Sequence, residues 1–157
     1  MKTQANIIQE LNRILANELV AINQFFLHAR MFKNWGFGSL NSHVYKQSIK
    51  AMKDADELIE RVLFLEGLPN LQKLNRLNIG EDVKEMLQSD LEFRLQSRSD
   101  LQNAVALMEQ EHDFLSRELF STVLEHCEEY IDWLETQMDL IENTGLQNYL
   151  QSQMSEE

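Results

Sequence analysis

Residues 44–65 place apolar side chains on two separate faces of a helix, and this doubling constrains the fold more than any other feature of the chain. Val44, Ala51, Ala55, Leu58, Val62 and Leu65 recur at steps of three, four and seven, the spacing of one buried stripe on a helix of 3.6 residues per turn. Tyr45, Ile49, Met52, Ile59 and Leu63 recur the same way and form a second stripe beside it. A bundle helix buries one stripe against its own neighbours. The second therefore predicts another cover, either a partner subunit or a flat apolar cofactor. Met52 lies mid-way along that second stripe, and Asp54 stands beside the first, where a hydrophobe is expected.

The remainder reads as helix too. One Pro and five Gly are kept out of long windows of helical periodicity, and no window alternates convincingly enough to predict a strand. The fold class is all-α, and 157 residues make one domain with a substantial core. Helices are expected over about 7–33, 39–65, 82–110, 113–143 and 146–153. In the first, Leu11, Ile14, Ala21, Phe25 and Phe32 share a face with Glu18, and Leu15, Leu19, Ile22 and Phe26 form a second stripe. The third helix buries Leu87, Leu101 and Met108; the fourth buries Phe120, Leu134 and Ile141. Between helices two and three, 66–81 (EGLPNLQKLNRLNIGE) is too long for a hairpin turn. Its Leu68, Leu71, Leu74, Leu77 and Ile79 predict a segment packed along the bundle. One long crossover within a four-helix bundle, with a short fifth helix (Leu146, Tyr149 and Leu150 apolar), is the ferritin-like topology. The tail 155–157 is expected to be disordered.

Charge narrows the function classes. Asp and Glu total 26 against 14 Lys and Arg, which argues against nucleic acid as a partner and is compatible with attracting cations. The lone Cys127 excludes an internal disulfide and fits a reducing, cytoplasmic setting. No signal peptide and no 18-residue apolar run are present, so neither export nor a membrane span is expected.

One layer of the predicted core is polar. Periodicity puts Glu18, Ala51, Asp54, Arg94, Cys127 and Tyr130 on core faces near the middle of each helix, where antiparallel helices meet. Buried charge is costly unless paired, so the layer is either a metal site or a salt-bridged layer. Ferritin-like di-iron sites draw one Glu from each of two helices and a Glu-x-x-His pair from each of the other two. The chain's single Glu-x-x-His, Glu109–His112, falls at the end of the third helix, away from the layer, and reads as two surface side chains. His28, His43 and His126 lack such a motif. Arg94 adds a positive charge that opposes metal binding, which favours its pairing with Glu18 or Asp54.

The stretches NELVAINQFFLHARMFKNWG (17–36), ERVLFLEGLPNLQ (60–72), LNIGEDVKEML (77–87), IDWLE (131–135) and GLQNYLQ (145–151) carry a specific resemblance: over nearly its full length the chain resembles a bacterioferritin. The resemblance implies a cytoplasmic hollow shell of 24 four-helix-bundle subunits around a ferric mineral core. It also implies haem b at two-fold interfaces, shared between two subunits, each giving one Met. Met52 occupies the position of that axial ligand, and Leu19, Ile22, Asn23, Phe26, Tyr45 and Ile49 match its pocket. Lys46, Lys50 and Lys53 share one side of the second helix and read either as a solvated face or as functional, Lys53 holding haem propionates and the other two lining the shell cavity. The family's six di-iron ligands fall on Glu18, Ala51, Asp54, Arg94, Cys127 and Tyr130, of which only Glu18 is the family's residue. Phe25 stands where a tyrosine is usual beside the site. The chain thus resembles a haem-binding subunit without an intact di-iron centre, mixed into a shell with a ferroxidase-competent one, its haem passing electrons inward for iron release. The alternative is an enzyme that still oxidises Fe(II) through an altered site of Glu18, Asp54 and Cys127. A small [2Fe–2S] ferredoxin is the implied electron donor, and Leu68, Pro69, Glu81 and Glu85 resemble its docking surface.

Overall fold

Five helices, α1 (Lys2–Asn34), α2 (Gly38–Phe64), α3 (Val83–Gln110), α4 (Phe114–Thr144) and α5 (Leu146–Ser152), make up the regular structure. The computed structural model describes residues 2–154, with side chains from Gln4 onward. The tail 155–157 lies outside the described residues. The expected helices are all found. α1 starts five residues earlier than expected, and the other boundaries move by one residue at most.

Local chemistry explains where the helices start and stop. Asp82 caps α3, its carboxylate accepting the Glu85 amide at 2.9 Å. Asp113 caps α4, accepting the Ser116 amide at 3.1 Å and the Ser116 hydroxyl at 2.6 Å. The same Asp113 accepts from the Arg61 guanidinium at 2.9 Å, tying the end of α2 to the start of α4. Gly36 and Gly145 both adopt positive φ, 88° and 87°, and close α1 and α4.

α1 and α2 form one helical hairpin, and α3 and α4 form another. Cross-helix pairs fix their register. Asp54–His126 and Arg61–Asp113 link α2 to α4, while Asn17–Asp100, Glu18–Arg94 and Gln24–Asp90 link α1 to α3. In each set the residue number rises on one helix and falls on the other, so both packings are antiparallel. The first stripe of α2 is buried as expected, except that Leu65 is only partly covered. α1 differs in one respect: Leu15 belongs to the core and not to the outer stripe. Of the three apolar residues of α5, only Tyr149 is buried, its hydroxyl donating to Gln137 at 2.6 Å.

The crossover, residues 65–82, is held differently from expectation. Leu68, Leu71 and Leu74 are exposed, Leu68 by 83%, and only Leu77 and Ile79 are partly covered. The segment is pinned instead by polar side chains of α1. The Asn12 side chain donates to the Leu68 carbonyl and accepts the Asn70 amide, Gln24 accepts the Asn78 amide, and His28 accepts the Gly80 amide. These bonds satisfy backbone groups that no sheet or helix serves.

Candidate functional site

Two sites lie back to back on α2: a recess on the outer face of the α1–α2 hairpin and a polar layer inside the bundle. The recess, about 210 Å³, is lined by Ile22, Asn23, Phe26, Tyr45, Ser48, Ile49 and Met52. Six of these were read from the sequence. Ser48 was not, although its step of four from Met52 and three from Tyr45 carries the signal; its hydroxyl donates to the Ile22 carbonyl at 2.8 Å. Leu19 sits one turn before Asn23, whose side-chain amide donates to the Leu19 carbonyl at 2.9 Å. Met52 is 50% exposed and Phe26 47%, so the second stripe is only partly covered within one chain. Arg30 closes one edge, its guanidinium 4.4 Å from the Tyr45 ring centroid and 5.5 Å from that of Phe26.

Lys53 does not join the recess. It lines a separate groove between α2 and α4, about 490 Å³, with Asp54, Glu57, Glu118, Thr122 and His126 among its walls. Lys46 is exposed, and Lys50 lies 3.6 Å from Glu129 of α4. Behind them His43 stacks on Trp133, with ring centroids 3.9 Å apart. Burial, with Lys46 and Lys50 adding to it, lowers the His43 pKa to about 4.

Within the polar layer each polar side chain has a partner, although the Nε of Arg94 is left without one. Arg94 makes a bidentate pair with Glu18, Nη1 to Oε2 at 3.0 Å and Nη2 to Oε1 at 3.2 Å. Both residues are buried. The guanidinium also lies over the Phe25 and Phe93 rings. Burial alone would lower the Arg94 pKa, but Glu18 outweighs it and holds the guanidinium charged. Asp54 does not reach Arg94. Its two oxygens accept from His126 Nδ1 at 2.9 and 3.1 Å. Burial raises the Asp54 pKa, and the His126 bond opposes that rise. Burial pushes the Cys127 thiol up to about 11, and its S–H donates to the Arg94 carbonyl. Tyr130 is likewise raised well above its ordinary value, by burial and by Asp90, whose Oδ2 accepts its hydroxyl at 2.9 Å. Ala51 offers no donor atom.

His126 and Asp90 are the partners that sequence reasoning missed. Asp90 stands three residues after Leu87 and four before Arg94, on the same core face, so periodicity marks it. Nothing in the sequence marks His126 as the partner of a residue 72 positions away. The Glu109–His112 motif does not converge: His112 lies beyond α3 with φ 60°, and Glu109 faces Arg117 at 3.8 Å. Among the described residues no three His, Cys, Asp or Glu side chains converge as a metal-holding group.

A four-helix bundle with one long crossover and a polar middle layer is the architecture of the ferritin-like class. The family model described as the ferritin-like domain matches residues 8–144. A bacterial ferritin of Synechocystis sp. is 42% identical over 99% of this chain and 100% of its own length. Bacterioferritins of Brucella melitensis and Streptomyces coelicolor are each 39% identical, over 95% and 96% of this chain and 92% and 90% of their own. The chain belongs to the ferritin family and is of bacterioferritin type.

Proposed function

We propose that the chain is a haem-binding subunit of an iron-storage shell and that it has lost its own di-iron centre. The observation that carries this reading is the contrast between the two faces of α2. On one side a thioether stands exposed in an apolar recess. On the other, Glu18 and Arg94 pair with each other, while Asp54 and Tyr130 are held by His126 and Asp90.

The recess fits haem. Met52 would be the axial ligand, with the apolar wall from Ile22 to Ile49 covering one face of the ring. One chain supplies one methionine and one wall, so the site needs a second subunit. Bound there, haem supplies a one-electron couple. The protein's own contribution is to orient the thioether and to exclude water from the ring. Lys53, one residue from Met52 but turned into the α2–α4 groove, is placed to meet a propionate only at the edge of the site. The cargo is ferric mineral, and the setting is the cytoplasm, consistent with the absence, among the described residues, of a helix long and apolar enough to cross a membrane.

The polar layer does not fit a di-iron centre. Glu18 is engaged by Arg94 and Asp54 by His126, and the Cys127 thiol keeps its proton to about 11. Two iron ions bring about four positive charges, and the guanidinium already neutralises the best-placed carboxylate. The same engagements disfavour an altered ferroxidase built from Glu18, Asp54 and Cys127. A shell that mixes this chain with a ferroxidase-competent subunit restores the oxidation step.

A [2Fe–2S] ferredoxin would serve as electron donor. Leu68 is pinned at Asn12 and Gly80 at His28, sixteen residues or roughly 24 Å apart along α1. Leu68–Pro69 and Glu81–Glu85 therefore form one docking surface only when two subunits meet around the haem recess, which lies between those anchors.

Met52→Leu tests the reading. It conserves volume and apolarity, so the assembly should persist while the haem Soret band disappears. Full haem occupancy in the variant would sink the assignment.

A further inference from the structure

Asp90 on α3 is fully buried and accepts three hydrogen bonds. Oδ1 takes Gln24 Nε2 at 2.8 Å and His28 Nδ1 at 2.9 Å; Oδ2 takes the Tyr130 hydroxyl. The far ends of Gln24 and His28 point the other way, to the crossover. Gln24 Oε1 accepts the Asn78 amide at 3.0 Å, and His28 Nε2 accepts the Gly80 amide at 3.1 Å. A backbone N–H only donates, so His28 Nε2 must be an acceptor and Nδ1 must carry the ring proton toward Asp90. Each bond fixes the orientation of the next. Apolar packing here is partial: Asn78 is exposed, Leu77 and Ile79 are only partly covered, and Leu68, Leu71 and Leu74 face solvent.

We infer that Asp90 is a positioning residue for the Asn78–Glu85 edge, which it locks to the bundle core through Gln24 and His28. Tyr130 fixes the carboxylate from α4, so a side chain of the polar layer reaches the surface segment through Asp90 and then Gln24 or His28. That edge leads into Glu81, whose amide is held by Glu85 Oε1 at 2.6 Å, and into the cap of α3. The use of the edge for docking rests on the proposed function. Its positioning by Asp90 does not.

Amide hydrogen exchange on the assembled protein tests it. Asp90→Ala should speed exchange of the Asn78 and Gly80 amides about tenfold, the loss expected when a hydrogen-bonded anchor is removed, while mid-helix amides of α2 keep wild-type rates. Asp90→Asn should restore slow exchange: its carbonyl accepts from Gln24 and His28, and its amide donates to the Tyr130 oxygen. Gln24→Leu, at the margin of the network, should free Asn78 and leave Gly80 protected, and it decides the matter if Asp90→Ala fails to fold. Unchanged exchange at both amides in Asp90→Ala, or equal acceleration of all amides in Asp90→Ala and Asp90→Asn, would overturn the assignment. Titration of the wild-type shell with a [2Fe–2S] ferredoxin separates the two ideas. Absence of binding ends the docking reading and leaves the exchange result to decide the positioning.

Discussion

Replacing Arg94 with methionine removes the guanidinium and keeps most of the side chain's apolar volume. Glu18 has no hydrogen-bond partner among the described residues other than Arg94, and its side chain is 0% exposed. The variant leaves a buried, unpaired carboxylate, a change that costs about 3–5 kcal/mol. For a chain of this length each kcal/mol lowers the melting temperature by about 2–4 °C, so a fall of roughly 6–20 °C is expected. Urea unfolding followed by circular dichroism, at one fixed protein concentration because assembly contributes, gives the free energy directly. Glu18→Leu combined with Arg94→Met should recover most of the loss, because a buried ion pair replaced by packed hydrophobes is often neutral. The pair also leaves Arg94 Nε without a partner, a cost the double variant removes. A loss below about 1 kcal/mol in Arg94→Met, or a double variant as unstable as the sum of the singles, would refute the pairing argument. Arg94→Glu should not create Fe(II) oxidation, because Ala51, Asp54, Cys127 and Tyr130 still occupy the positions that the family resemblance assigns to ligands.

Three further outcomes follow from the geometry. If the recess holds haem as proposed, Lys53→Glu should weaken its binding only modestly, since Lys53 lies in the α2–α4 groove; a haem titration showing complete loss would make it part of the recess. The Cys127 thiol keeps its proton to about 11 in the native state against an ordinary 9.0. The unfolded chain releases that proton first, so stability falls as pH rises from 9 to 11, by about 1.4 kcal/mol per unit. Cys127→Ala should flatten that part of the profile, and an unchanged slope counts against the buried thiol. Gly80→Ala would bring a Cβ within 2.6 Å of the Met86 amide nitrogen, and the strain should cost about 1–3 kcal/mol in the same unfolding assay.

The helices were legible because Gly36, Gly67, Pro69 and Gly145 mark their ends and because long windows keep one apolar period. The recess was legible for the same reason, since a second stripe needs a cover. Periodicity assigns residues to faces but does not say what meets them across the bundle. It placed Arg94 near both Glu18 and Asp54, and tertiary packing chose Glu18 and gave Asp54 to His126. The crossover was misjudged for a related reason. Its leucines suggested burial, whereas the segment is held by Asn12, Gln24 and His28, polar residues of a helix more than 50 positions away.

Met52 stands alone in a half-recess, and on the proposed reading this turns haem content into a counting statistic. If a fraction f of the subunits in a mixed shell is this chain, and its partner lacks the methionine, random pairing gives f² complete sites per subunit pair. Pairing of like with like gives f. Haem measured per pair against composition measured by mass spectrometry therefore reports whether the two kinds of subunit sort or scatter as the shell closes.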